Sequence, residues 1–207
     1  MKLYFSPGAC CMSCHIALEE TKTPFELAYA GKKMDEKARA DFLKVSPLGA
    51  VPTFELDDGR ILTQNIAILE YIADQKPEYQ LLDKPGSYER ADIMRWLSFA
   101  ASDFHKAFGP LFRMSAISDN PVVQDALKQH CFSMIEKYCD LLNTHLKGKN
   151  YLACERFTVA DAYVFTIYQW TAAVKFPTEK YAELNRYADA IAKRPSVIAV
   201  HQRESAY

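Results

Sequence analysis

Three cysteines lie within the first fourteen residues, between a short apolar segment and a stretch with helical spacing: Cys10, Cys11 and Cys14. A thiol at the first turn of a helix faces backbone N–H groups that lack partners and the positive end of the helix dipole. Both favour the thiolate over the thiol. Because the thiolate is the nucleophilic form of cysteine, this segment predicts sulfur chemistry.

The other three cysteines carry less information. Cys131 and Cys139 fall in a helical apolar pattern and are interpreted as small buried hydrophobic residues, whereas Cys154 falls in a loop. We expect reduced thiols rather than disulfides, because the chain is long and shows no secretory signal. A zinc site is not predicted, because no second pair of spaced Cys or His residues is present.

Composition limits the class of partner. The chain has 207 residues, of which 49% are hydrophobic, enough for one large domain or two small ones. Its 25 basic and 26 acidic residues nearly cancel, so charge gives no reason to expect nucleic acid or an anionic membrane as partner. With no signal-peptide pattern and no apolar run long enough for a bilayer, we expect a cytoplasmic protein.

Strand and helix patterns alternate in the first third of the chain, in the order β-α-β-α-β-β-α. An Asp57-Asp58-Gly59 turn predicts a hairpin between the last two strands, and Asn65 is expected to cap the helix that follows. The strands are predicted at 3–5, 25–29, 53–56 and 61–62, and the first two helices at 11–21 and 35–44.

A polar stretch with Pro77, Pro85 and Gly86 predicts a linker at 79–87, between a domain at 1–78 and an all-helical domain at 88–207. In the second domain, Asn120 and Pro121 begin a helix that is expected to reach Gly148. A capping box at residues 158–161 begins a later apolar helix.

The first long helix of the second domain carries two patterns. An apolar stripe that includes Leu97 and Phe104 is expected to pack inward. Beside it, Ser98, Ser102 and His105 recur at i, i+4 and i+7, which places three polar groups on one face. This face is interpreted either as the wall of a cleft or as a solvated strip.

Together these features resemble the cytosolic glutathione S-transferases, and most closely the bacterial beta class. The resemblance covers essentially the whole chain and rests on five motifs in order. These are residues 1–10, Gly49-Ala50-Val51-Pro52, residues 67–74, His105-Lys106 and residues 157–162. It implies an α/β thioredoxin-like N-terminal domain that binds glutathione, followed by an all-α domain that supplies a wall for the electrophilic co-substrate.

The resemblance assigns roles in the first domain. Cys10 matches the cysteine beside the glutathione sulfur. Pro52 matches a proline after a cis bond, which exposes the N–H and C=O of Val51 to the cysteinyl backbone of the tripeptide. Gln64 and Asn65 match the turn that holds the γ-glutamyl end, although the family usually has Ser at the second position. Asn65 is therefore interpreted equally as a helix cap or as a ligand contact.

In the second domain, His105 and Lys106 match the pair that faces the glutathione sulfur. Ser98 stands where the class tends to carry Asn, and Asp103 matches an acidic residue that reaches the glutathione amine of the partner subunit. Lys33 is matched to a lysine near the glycyl carboxylate, a role that Lys32 could also fill.

The implied function is a homodimeric transferase that conjugates the glutathione thiolate to small hydrophobic electrophiles in detoxification, with Cys10 and His105 catalytic. Glutathione is a co-substrate, and neither a further cofactor nor a metal is implied. Cys11 and Cys14 replace the Ser and Pro of the class and form a Cys-x-x-Cys pair. The alternative is therefore a glutathione-dependent thiol-disulfide oxidoreductase in which one of them resolves a disulfide at Cys10. A non-catalytic binding or chaperone role is a third hypothesis.

Overall fold

The computed structural model describes residues 1–207. A four-stranded sheet in the order β2-β1-β3-β4 forms the first unit, with β1 and β2 parallel and the other pairs antiparallel. The predicted order of elements is confirmed. The strands are β1 Lys2–Phe5, β2 Glu26–Tyr29, β3 Thr53–Glu55 and β4 Ile61–Thr63, and the helices are α1 Met12–Glu20, α2 Glu36–Val45 and α3 Asn65–Gln75.

Helices make up the rest of the chain, after a short 3₁₀ turn at Pro77–Tyr79. They are α4 Tyr88–Phe99, a π-helical segment Ala100–Phe104, α5 His105–Phe112, α6 Met114–Ile117, α7 Pro121–His145, α8 Val159–Tyr168, α9 Trp170–Ala173, α10 Ala182–Ala192 and α11 Pro195–Glu204. None of them combines the length and the apolar character needed to cross a bilayer.

Helix α1 joins the two halves. It contacts α3, α8 and α11, and its residues from Met12 to Leu18 are all buried. A helix that is covered on all sides lies inside the protein. The sheet and the helices consequently share one core of 47 buried residues, and the turn before α1 lies at the boundary between them.

The π-helical segment changes which residues share a helix face with His105. The His105 N–H donates to the Ala100 carbonyl, five residues earlier, so this turn holds more residues than an α-helical turn. Ser98 and Ser102 are exposed, whereas His105 turns inward. The prediction of one continuous polar strip is therefore wrong, because spacing counted for an α-helix does not continue through the wider turn.

Most predicted helix ends are confirmed. Asn120 accepts a hydrogen bond from the Val122 N–H at 2.9 Å and begins α7, which ends at His145 rather than at the expected Gly148. Asp35 caps α2 through the Ala38 N–H. The prediction for Asn65 is wrong: it is the first helical residue of α3, and its side chain makes no cap.

The capping box of α8 is confirmed and its carboxylate is fully buried. Oδ2 of Asp161 accepts from the backbone N–H of Thr158 at 2.8 Å and from its hydroxyl at 2.9 Å. Oδ1 accepts from the Leu152 N–H at 2.9 Å and the Tyr187 hydroxyl at 3.1 Å. Burial raises the pKa of Asp161 to about 6, while these four donors oppose that rise.

We predict that Asp161→Asn lowers the free energy of unfolding by about 3 kcal/mol, because an amide N–H2 would face buried donors. Urea titration measures this. The matched control is Asp35→Asn, which removes the same charge from an exposed cap that Asn fills equally well; its expected change is below about 0.5 kcal/mol. Equal losses in the two variants would contradict the account of the buried carboxylate.

Candidate active site

A cleft of about 530 Å³ opens between the sheet domain and the helices. Seven of the predicted site residues line it: Cys10, Val51, Pro52, Gln64, Asn65, His105 and Lys106. The Val51–Pro52 peptide bond is cis, as expected. The other lining residues are Ser46, Pro47, Leu48, Ala50, Thr63, Ile66, Ala101 and Tyr163.

Three predicted residues lie outside the cleft lining. Nζ of Lys33 donates to the Tyr207 carbonyl at 2.9 Å. Ser98 is exposed on α4. Asp103 accepts from the Ser102 hydroxyl at 2.5 Å, next to the ring of Tyr138, whose pKa is raised mainly by burial and also by Asp103.

The turn that presents Cys10 is held by the helical domain. Gly8 has a φ of +69°, a conformation that side chains disfavour. Its N–H donates to Oε2 of Glu204 at 2.9 Å, and its carbonyl accepts from Nε1 of Trp170 at 2.7 Å. Two helices from the far end of the sequence therefore fix the position of the loop before Cys10.

Cys10 is a thiol rather than a thiolate, contrary to the expectation from its place before α1. Burial raises the pKa of Cys10 to about 11; the backbone N–H groups of Cys10 and Cys11 lower it, but by less. The Cys10 thiol donates to the Val51 carbonyl at 3.3 Å. The N–H groups at the helix start do lower the pKa of the Cys10 thiol, but removal of water from around the sulfur raises it by more.

Cys11 and Cys14 are fully buried and do not line the cleft. The Cys11 thiol donates to the Ser6 carbonyl at 3.4 Å, and the Cys14 thiol donates to Oδ1 of Asn65. Burial is the largest cause that holds the pKa of both thiols well above the ordinary value. Because disulfide exchange needs an accessible thiolate, this arrangement does not favour the oxidoreductase hypothesis.

Asn65 turns into the protein. Its Nδ2 donates to the Cys10 carbonyl at 3.1 Å, and its Oδ1 accepts from the Ser13 hydroxyl at 3.0 Å. The first backbone bond of α3 runs from the Ile68 N–H to the Gln64 carbonyl, so the N–H groups before Ile68 have no partner within the helix. The backbone at this helix end, rather than the Asn65 side chain, is suited to an anion.

His105 faces the cleft as a neutral ring, because burial lowers its pKa. Its Nδ1 lies 2.9 Å from the hydroxyl of Tyr163, and the Trp170 ring packs against it at 4.7 Å between centroids. Tyr163 was not predicted as a site residue. Its only signal was its place in the apolar helix after the capping box, where an aromatic residue also suits the core.

Comparisons with known proteins agree with the geometry. The family model "Glutathione S-transferase, N-terminal domain" matches residues 1–74, and "Glutathione S-transferase, C-terminal domain" matches residues 99–195. Glutathione S-transferase GstA of Escherichia coli O157:H7 is 37% identical over 199 residues, covering 95% of each chain.

Two solved structures each cover all of this chain and are covered completely by it. A sphingomonad glutathione S-transferase complexed with glutathione has a TM-score of 0.88 and 40% identity. The bacterial beta class enzyme of Sphingomonas chungbukensis has a TM-score of 0.90 and 39% identity.

We predict that iodoacetamide modifies Cys10 slowly in the folded protein near neutral pH. Since the pKa is about 11, the rate rises roughly tenfold per pH unit up to at least about pH 9. Peptide mass spectrometry measures modification at Cys10, and the Cys10→Ser variant assigns the modified site. The control is urea-unfolded protein, in which the modification rate is expected to level off above about pH 8.5. A rate that is already constant above about pH 7 in the folded protein would contradict the thiol assignment.

Proposed function

Because this chain belongs to the glutathione S-transferase family, we propose that the cleft described above activates glutathione for transfer to small hydrophobic electrophiles. The observation that carries the proposal is the meeting of four groups in one cleft. They are Cys10, the Val51 backbone, the start of α3 and His105, which come from both domains.

Three subsites follow for the tripeptide. The N–H and C=O of Val51 pair with its cysteinyl backbone. The γ-glutamyl carboxylate binds at the start of α3, where Gln64 and the N–H of Asn65 are available and the helix dipole favours an anion. Lys106 supplies positive charge from the helical side. Lys33 and Ser98 are left out of the proposal, because neither lines the cleft.

The glutathione sulfur is activated by neutral donors. The Cys10 thiol turns from the Val51 carbonyl to the incoming sulfur, and His105 donates from the opposite wall. Hydrogen bonds to the charged form of an acid lower its pKa, so the bound thiol loses its proton to solvent near neutral pH. The thiolate then attacks an electrophilic carbon: with an aryl halide, the new C–S bond forms and the halide leaves with its electron pair.

The electrophile is proposed to contact an aromatic cluster beside His105. The rings of Phe112 and Trp170 meet edge to face at 5.3 Å, and Phe108 packs on Trp170 at 5.7 Å. Phe112 is 47% exposed. A flat apolar substrate fits such a surface, because rings and apolar groups prefer to leave water together.

We predict that Cys10→Ala lowers kcat/KM for an aryl halide about tenfold near pH 6.5, the loss expected for one hydrogen bond to a charged sulfur. Cys10→Ser keeps a donor and is expected to stay within about threefold of wild type. Steady-state kinetics in both variants measure this.

The matched pair also tests the alternative chemistry. If Cys10→Ser is as impaired as Cys10→Ala in conjugation, the donor role is contradicted. If Cys10→Ser abolishes reduction of a glutathionylated substrate that wild type reduces efficiently, while conjugation to an aryl halide stays largely intact, the oxidoreductase alternative is favoured.

We further propose that the protein is a cytoplasmic homodimer. Six free cysteines suit a reducing compartment. Leu48, at the rim of the cleft, and Tyr88, at the start of α4, are each 79% exposed and offer apolar surface to a second copy. In such a dimer, Asp103 is proposed to reach the amine of glutathione in the partner subunit.

We predict a dimer by multi-angle light scattering at micromolar concentration, and a shift toward monomer in Tyr88→Glu, because a buried unpaired charge opposes association. The control is Val122→Glu, since Val122 is 77% exposed at the start of α7. A monomeric wild-type protein would contradict the dimer.

A further inference from the structure

Tyr163 lies on α8 at the inner wall of the cleft, with its ring buried and its hydroxyl 2.9 Å from Nδ1 of His105. A phenol can donate or accept a hydrogen bond, and a neutral imidazole carries one nitrogen of each kind. The direction of this bond therefore decides which nitrogen of His105 holds the hydrogen.

The direction follows from the acceptors within reach of the Tyr163 hydroxyl. The Asn65 side chain lines the same cleft but is engaged elsewhere. Its Nδ2 donates to the Cys10 carbonyl, and its Oδ1 accepts from the hydroxyl of Ser13 and the thiol of Cys14. Burial is the largest cause that raises the pKa of Tyr163, so the phenol keeps its proton near neutral pH.

The proton of the Tyr163 hydroxyl needs an acceptor of its own. A buried hydroxyl without one is costly, and Nδ1 of His105 is the group within hydrogen-bond distance. Nδ1 therefore lacks a hydrogen and Nε2 carries it. Nε2 has no hydrogen-bond partner in the protein, and the other titratable side chains that line the cleft are Cys10 and Lys106.

We propose that Tyr163 is a positioning residue that holds His105 in the Nε2–H form, so that this N–H donates to the glutathione sulfur. The inference rests on the proposed function of the cleft. It involves no bond cleavage: the phenol and the imidazole both keep their protons throughout.

The direct test is Tyr163→Phe. We expect the pKa of the bound glutathione thiol, read from thiolate absorbance, to rise by about one unit. The value of kcat falls about tenfold near pH 6.5 and recovers above about pH 9, where the thiol ionises without help. KM for glutathione is expected to change less than kcat, because Tyr163 acts on the sulfur through His105.

The matched control is Tyr168→Phe. Tyr168 lies on the same helix, is also buried and donates to Oδ1 of Asn185 at 2.6 Å, outside the cleft. Tyr168→Phe removes an equivalent buried hydroxyl, so its effect on the free energy of unfolding serves as a control for that of Tyr163→Phe. We expect the thiol pKa and the pH profile of this variant to equal those of wild type.

A spectroscopic measurement separates positioning from structure. In ¹⁵N NMR of the ligand-free protein, we expect His105 to show a protonated Nε2 and a bare Nδ1, and Tyr163→Phe to give a mixture of tautomers. In a His105→Gln background, whose side chain offers an N–H without tautomers, Tyr163→Phe is expected to cause no further change in the thiol pKa.

The proposal is overturned if Tyr163→Phe leaves both the thiol pKa and the His105 signals unchanged, or if Tyr168→Phe shifts the thiol pKa equally. These failures differ from failure of the proposed function. If wild type does not lower the thiol pKa of glutathione while His105 still shows the Nε2–H form, the function is contradicted and the tautomer assignment stands.

Discussion

Desolvation of the turn before α1 is the constraint on which the site depends. Helix α1 is enclosed by α3, α8 and α11, so the loop at its start lies where the sheet and the helices meet. Burial there raises the pKa of Cys10 and lowers that of His105, so both groups are uncharged near neutral pH. These neutral donors, together with the positive charge of Lys106, suit the cleft to stabilise an anion that arrives with the substrate, because no carboxylate side chain lines it.

Positioning of these donors comes from distant parts of the chain. Glu204 and Trp170 bind the two polar groups of Gly8, so α11 and α9 hold the loop that presents Cys10. Asn65 ties the start of α3 to the Cys10 carbonyl. Such contacts cost little reorganisation when substrate binds, because the donors are already in place.

Much of this fold could be predicted from local sequence patterns. Alternating apolar residues indicated the strands, and the caps at Asn120 and Thr158 marked two helices, because a cap depends only on neighbouring residues. The cleft residues Val51 and His105 came from the resemblance to a family, which transfers information about tertiary structure, whereas Cys10 was also indicated by its place before a helix.

The features that could not be predicted depend on contacts between distant residues. The thiol state of Cys10 is set by the protein packed around it, and the inward turn of Asn65 by Ser13 and Cys14 on another helix. The π-helical segment before His105 has no sequence signal of its own. Tyr163 appeared as one aromatic residue in an apolar helix, and only its distance to His105 separates it from the core.

The central claim is that neutral, oriented donors stabilise the glutathione thiolate. Neutron diffraction from a deuterium-exchanged crystal of the glutathione complex tests it most directly, because it locates each hydrogen. The account predicts deuterium on Sγ of Cys10 and on Nε2 of His105, both directed at a glutathione sulfur that carries none. A bare Cys10 sulfur, or a disulfide between Cys10 and glutathione, would contradict it.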